Sequence, residues 1–240
     1  MTKFDPHVVV VSLGNRGKYY KTLHSAGHFA LQSLRKAIIA NSAAAGVEDP
    51  EQVQTEWDKS DREGFRKKYA ASYGDKYTLL QTPMPMNVSG AFVRTHWLRI
   101  LDERSLRPHE MGLVVVHDDL EEDFGAVRVR NWTSSHRGHN GVKHVNGHLT
   151  YKEFPGALWS RISVGIDRPA SREDKDVADY VLSPLSDHQM EIIDTQVGSK
   201  VLACLQEIEM EWKQAYEKEA AEASAPPPKP KSEKAAKVKG

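Results

Sequence analysis

The 240-residue sequence holds one cysteine, Cys204. It therefore forms no internal disulfide and builds no all-cysteine metal site, and that scarcity fits a reducing compartment. No apolar run reaches the roughly 18 residues that a membrane-spanning helix needs. Neither charge is in excess: 33 Lys and Arg balance 33 Asp and Glu. Bulk electrostatics thus selects no partner, and contact with nucleic acid has to come from local clusters. No Gly-x-Ser-x-Gly elbow presents a serine nucleophile. The Gly14-Asn15-Arg16-Gly17 turn lacks the Lys-Ser/Thr of a phosphate-binding loop. The first residues, Met1 to Val11, read neither as a signal peptide nor as a transit peptide. Cytoplasm and mitochondrion both remain as locations.

What is present is the material of one α/β domain. A chain of 240 residues, 39% hydrophobic, is long enough to bury a single sizeable core. Residues 220–240 carry three consecutive prolines, five lysines and no apolar face, and read as a disordered tail. The domain is then 1–219. Within it, 41–75 is rich in Ala, Lys and Glu and reads as a partly packed insertion with some helix. The rest alternates strands with helices. The run Val8 to Val11 suits a strand buried on both faces. Strands are expected also at 77–81, 112–116, 126–130 and 160–166. Helices are expected at 26–39, 89–101, 142–148 and 186–219, the last opening on a Ser186–Gln189 capping box. Such alternation implies an α/β sheet. Asn15, Asn87, Asp118 and Asn140 each follow a strand end or a break in the pattern, where open α/β sheets bind ligands.

Several of these residues have the chemistry of a hydrolytic site. His24 precedes a helix, and Asp118 ends an apolar strand; such a carboxylate can orient an imidazole. The amides of Asn15, Asn87 and Asn140 both donate and accept hydrogen bonds. Taken alone, each has a plainer reading as a cap, a turn residue or a surface group. The histidines at 136, 139, 144 and 148 raise a metal site, but only His144 and His148 stand at i, i+4. No metal or cofactor is expected.

Jointly the segments SLGNRGxYxxTxH, MNVSG, HDDLEEDFG, GHNGVKHV, ISVGIDRP and VADYVLSPLS resemble the bacterial-type peptidyl-tRNA hydrolases from about Val8 to Leu185. The insertion and the Lys/Pro tail point to a eukaryotic, fungal member. The resemblance implies a single α/β domain with a twisted mixed sheet. It also implies a monomer with no obligate protein partner and no membrane contact, which cleaves the ester between a peptide and the tRNA 3′ end. By the same resemblance His24 is the general base, Asp118 its orienting carboxylate, and Asn15 the residue separating blocked from free aminoacyl esters. Asn87 and Asn140 hold the peptide, the water or the oxyanion. Tyr19 contacts the tRNA end, and Met86 lines the cleft. Arg130, Lys143 and Arg161 are the expected contacts to RNA phosphates.

The chain departs from the family pattern at several points. Arg16 replaces a usual proline, and Leu23 and Ser25 flank His24 in place of Arg and Asn. Pro85 replaces an aromatic, and Thr133 to Arg137 replace a glycine-rich run. Ser163 stands where a second clamping arginine is common. The rival reading is a non-catalytic RNA-binding relative on the same fold, such as an organellar splicing factor. Retention of His24, Asp118 and all three asparagines favours the enzyme.

Overall fold

A computed structural model describes residues 4–58 and 68–224. Six strands form one mixed sheet in the order β2-β3-β1-β4-β6-β5. In chain order they are β1 (His7–Ser12), β2 (Ala71–Tyr73), β3 (Tyr77–Gln81), β4 (Met111–Asp119), β5 (Val127–Asn131) and β6 (Leu158–Gly165). The four central strands run parallel, while β2 and β5 pair antiparallel at the two edges.

The valine run explains the layering. Successive side chains of a strand point to opposite faces. Val8 and Val10 accordingly join a core with Leu31 and Leu34 of α1 (Ala26–Ala44), and Val9 and Val11 a core with Phe92 and Trp97 of α2 (Ser89–Glu103). All four valines are fully buried, each stabilising the fold by about 1.5–3 kcal/mol. The chain leaves β1 through α1 toward β3, then returns across the other face through α2 to β4. From β4 it moves the opposite way, toward β5 and β6. The direction of winding therefore reverses between β1 and β4, and the crevice at their carboxyl ends is where such sheets bind ligands.

The last helical segment differs from the single helix expected over 186–219. The capping box at Ser186 forms as read. After α5 (Asp187–Ile192) the chain makes a π turn (Ile193–Val197) before α6 (Gly198–Ser224). The cause is close packing on α1. Ser33 Oγ donates to Asp194 O and accepts from Gly198 N–H, and a Cβ on Gly198 would meet Ser33 O at 2.3 Å. Preceding α5 is a short helix that the periodicity did not disclose, α4 (Asp174–Val181). Helix α6 continues past residue 219 to Ser224, so the tail reading now concerns 225–240, outside the described residues.

Helix α6 runs antiparallel to the parallel strands. Near its start Lys200 reaches Gly125 O, beside the end of β6. Further along, Glu209 accepts from Tyr77 OH, Trp212 covers Gly112, and Tyr216 stacks on Phe4. Its carboxyl end is therefore at the pole opposite the β1–β4 crevice.

The 41–75 segment is more firmly built than its composition suggests. Its start continues α1 to Ala44, and near its end β2 forms the sheet edge. Buried Arg35 donates to Thr55 O at 2.7 Å and to Gln54 O at 3.2 Å. Gln54 Nε2 donates in turn to Ser72 Oγ. Tyr69 is buried in the α2-side core. Trp57 and Tyr73 pack against the two cores as well, and the polar links that fix the segment are ones that hydrophobic periodicity does not register.

Candidate active site

The turn after β1 is fastened from three directions. Asn15 N–H donates to Ser25 Oγ at 2.9 Å, and Ser25 Oγ donates to Tyr19 O at 3.0 Å. Asn15 Oδ1 accepts from Met86 N–H at 3.2 Å. The N–H absent from Pro85 is thus not needed, because the next residue supplies the donor. Ser25, one of the departures from the family pattern, closes the loop. Gly14 is required for close approach: a Cβ there would lie 2.4 Å from the His28 ring.

His24 sits in a 3₁₀ turn (Leu23–Ser25) leading into α1. Its Nδ1 is 2.8 Å and 3.0 Å from the two oxygens of Asp118. The Asp118 side chain is 3% exposed and that of His24 17%, so the pair is screened from water but not sealed. Asp118 does not follow the strand as the sequence suggested; it is the penultimate residue of β4 and pairs with Val164 of β6. Burial opposes the charge on both partners, but attraction and hydrogen bonding outweigh it. His24 is raised above its ordinary 6.5, and Asp118 is held well below the usual carboxylate range.

A further residue joins them. His139 Nε2 is 3.1 Å from Asp118 Oδ1, and its ring lies 5.0 Å from that of His24. His139 also caps α3 (Asn140–His148), its Nδ1 accepting from Val142 N–H at 3.2 Å. An accepting Nδ1 carries no proton, so the ring proton sits on Nε2 and points at Asp118. Sequence reasoning weighed His139 only as a metal ligand; the cue it left unused was its place beside Asn140 in Gly-His-Asn-Gly. Neighbouring His117 is buried, pushed down to about 3 by burial and then by His139, and so stays neutral.

His24, Asp118 and His139 offer ligand atoms within 4.8 Å of one another. The hydrogen bonds do not suit a metal. His139 Nε2 would have to lose its proton while Nδ1 still faced a backbone N–H, and neutral imidazole has only one such lone pair to give. The donor set is arranged for protons.

The other expected residues divide. Met86 is buried against the site: a Cβ on Gly141 would fall 2.6 Å from its sulfur. Asn140 opens α3 and lines the same cleft of about 670 Å³ as His24, whereas Asn87 is exposed beside Met86. Tyr19 is exposed on the turn, with Lys18 Nζ 4.8 Å from its ring centre. Lys143 is exposed on α3. Arg130 lines the cleft but is engaged by Asp119, Glu122 and Ser163. Arg161 lines the same cleft from beneath. It is 1% exposed and donates to Asn131 O and Ser134 O, so it props the loop after β5 and offers little surface to a phosphate. Arg137, on that loop, is more exposed at the same cleft, beside Asp119.

His139→Leu removes both a donor to a buried carboxylate and a helix cap. Stability should fall by about 1–3 kcal/mol. Asp118, left with one partner, should hold the His24 proton more tightly and move the acid limb of kcat/KM to higher pH. An unmoved pH profile in this variant would contradict the shared-carboxylate arrangement.

A doubly wound mixed sheet with a histidine–carboxylate pair at its switch point is the plan of a hydrolytic enzyme. Comparison with known proteins makes the class specific. Residues 9–227 match the sequence profile of the peptidyl-tRNA hydrolase family. The peptidyl-tRNA hydrolase of Aquifex aeolicus is 36% identical over 199 residues, covering 82% of this chain and 87% of that protein. One from Clostridium botulinum is 33% identical over 208 residues, covering 84% and 90%. A probable peptidyl-tRNA hydrolase of Schizosaccharomyces pombe is 41% identical over 97 residues, covering 40% and 45%. Among solved structures, the Acinetobacter baumannii peptidyl-tRNA hydrolase superposes with a TM-score of 0.56 at 20% identity, covering 89% of this chain and 97% of that one; at that identity the likeness speaks to fold. The chain belongs to the peptidyl-tRNA hydrolase family.

Proposed function

We propose that this protein hydrolyses the ester joining a peptide, or an N-blocked amino acid, to the 3′ end of tRNA. The observation that carries the reading is the His24–Asp118 pair beside Asn15, set at the sheet's switch point within a chain of this family. His24 Nδ1–H is held by Asp118, which leaves Nε2 as the base that takes a proton from the attacking water. That water adds to the ester carbonyl, and the tetrahedral oxyanion is met by amide donors from Asn140 or Asn87. Collapse then breaks the bond to the ribose oxygen, which recovers the proton from the imidazolium. Asn15, its Oδ1 engaged by Met86, has its NH₂ left for the substrate and discriminates blocked from free amino groups. Tyr19 meets the RNA end, with Arg130 and Lys143 as phosphate contacts, Arg130 by exchanging its carboxylate partners for phosphate.

Among the described residues no helix is long and apolar enough to cross a membrane. A monomer acting in the cytoplasm or the mitochondrion completes the reading; the lone half-buried Cys204 suits either reducing compartment.

The test is direct: incubate purified protein with N-acetyl-aminoacyl-tRNA and with free aminoacyl-tRNA, each with and without EDTA. Hydrolysis confined to the blocked ester and indifferent to chelator is the expected result. Binding without hydrolysis of either would establish the non-catalytic relative instead. Removing residues 225–240 should leave kcat and Tm unchanged, since α6 ends at the pole away from the crevice. Loss of hydrolysis at saturating substrate in the truncated protein would contradict that separation.

A further inference from the structure

A second cavity, of about 430 Å³, opens on the β3 side of the Gly14–Gly17 turn. Its walls come from that turn, from the end of β3, and from residues 68–70. It is separate from the cleft that holds His24 and Asp118. Among the described residues none that lines it is a carboxylate, and two are cations, Arg16 and Lys68. Both are exposed, with Arg16 donating to Pro83 O at 3.2 Å.

The remaining polar groups add donors. Thr82 is buried, and its hydroxyl has no hydrogen-bond partner among the described residues. Buried His28 lines the cavity with Nδ1 2.8 Å from Ser12 Oγ. Among the described residues the Ser12 hydroxyl has no other acceptor. It therefore donates to Nδ1, and the ring proton sits on Nε2. Burial, then the charge of Arg16, pushes His28 down to about 3. The imidazole thus stays neutral and adds an N–H without adding charge. Tyr69 supplies an aromatic wall. Two cations, spare donors and no carboxylate among the described lining call for an anion, and the volume exceeds that of a bare inorganic ion.

Position narrows the class. Arg16 follows Asn15, and both residues bind the strap of residues 83–86, through Pro83 O and Met86 N–H. The cavity thus shares this turn and strap with Asn15 of the candidate site. Of the two arms of the substrate, only the RNA carries a phosphate at every residue; a peptide carries none. We propose that the Arg16–Lys68–His28 cavity binds a phosphodiester of the single-stranded tRNA 3′ end, an assignment that rests on the peptidyl-tRNA reading above.

The test compares wild type with the Arg16→Gln/Lys68→Gln double variant for binding of the trinucleotide CCA, of adenosine, and of inorganic phosphate. The expected result is on the order of tenfold weaker CCA binding in the variant. Its slope of log affinity against log salt should be shallower by about 0.7, the value of one single-strand phosphate contact. The charge-retaining Arg16→Lys/Lys68→Arg variant should recover most of the affinity. CCA affinity in the Gln variant within twofold of wild type would overturn the proposal. So would an equal loss for adenosine, which has no phosphate, or inorganic phosphate binding as tightly as CCA. Hydrolysis of N-acetyl-aminoacyl-tRNA by wild type is measured alongside. If hydrolysis is present and CCA affinity unchanged, only the cavity assignment fails. If hydrolysis is absent while CCA binding still depends on Arg16 and Lys68, only the hydrolase reading fails.

Discussion

His24→Ala is expected to lower kcat toward N-acetyl-aminoacyl-tRNA by two to four decades, the range that a positioned general base contributes, or about 3–5 kcal/mol of barrier. The substrate should still bind, because the imidazole removes a proton and does not anchor either arm. Single-turnover rates and a parallel binding measurement separate the two effects; near-normal hydrolysis by the variant would sink the mechanism. The wild-type profile carries a matching signature. His24 must be neutral to act, and its pKa is raised above 6.5. Activity should therefore rise with pH through an acid limb centred above 6.5. Stability should move the other way. A histidine whose folded pKa is raised stabilises fully below its unfolded value, and that contribution is lost as pH rises through the folded pKa. The His24 contribution is thus greatest where the enzyme is least active, and His24→Ala should abolish this part of the pH dependence of Tm.

Asp118→Asn should be nearly as damaging, for a different reason. The carboxylate accepts from Nδ1 and so presents Nε2 as the base. An amide can turn its NH₂ toward Nδ1 and favour the opposite tautomer, with Nε2–H facing the water. A loss of two to four decades in kcat is expected. The acid limb should also cross to the other side of 6.5. Without Asp118, the attraction and hydrogen bond that raise His24 are gone, and burial, which lowers it, is left. An acid limb that stays above 6.5 in this variant would show that Asp118 is not what raises the imidazole. On the stability side, Asp118 is depressed well below 3.8. Its contribution is present above that value and lost only as pH falls through the lower folded pKa. Asp119→Asn makes the contrast. Asp119 binds Arg130, Arg137 and the Glu121 N–H rather than either histidine, and its loss should be much milder for kcat.

Much of this was open to sequence reading because it is written locally. A four-valine run has one stable fate in an α/β sheet, and its alternation already divides the core in two. The Ser186–Gln189 box acts over three residues and formed as read. Asn15, His24, Asp118 and Met86 carry enough motif around them to be singled out, and the fold brings those four together. What the tertiary structure alone decided are relations between side chains distant in the chain. His139 reaches Asp118 across 21 positions, and no periodicity marks that contact. Arg161 looks like any basic surface residue in sequence. Only the antiparallel pairing of β5 with β6 buries it beneath the loop it supports. The break in the last helix depends on Ser33 meeting Gly198, 165 positions apart. The cavity at Arg16 exists because the end of β3 and residues 68–70 close on the turn after β1. Patterns of hydrophobicity report which face a residue turns inward. They carry no record of which polar atoms then fall within 3 Å of each other, and in this protein that second kind of information arranges the site.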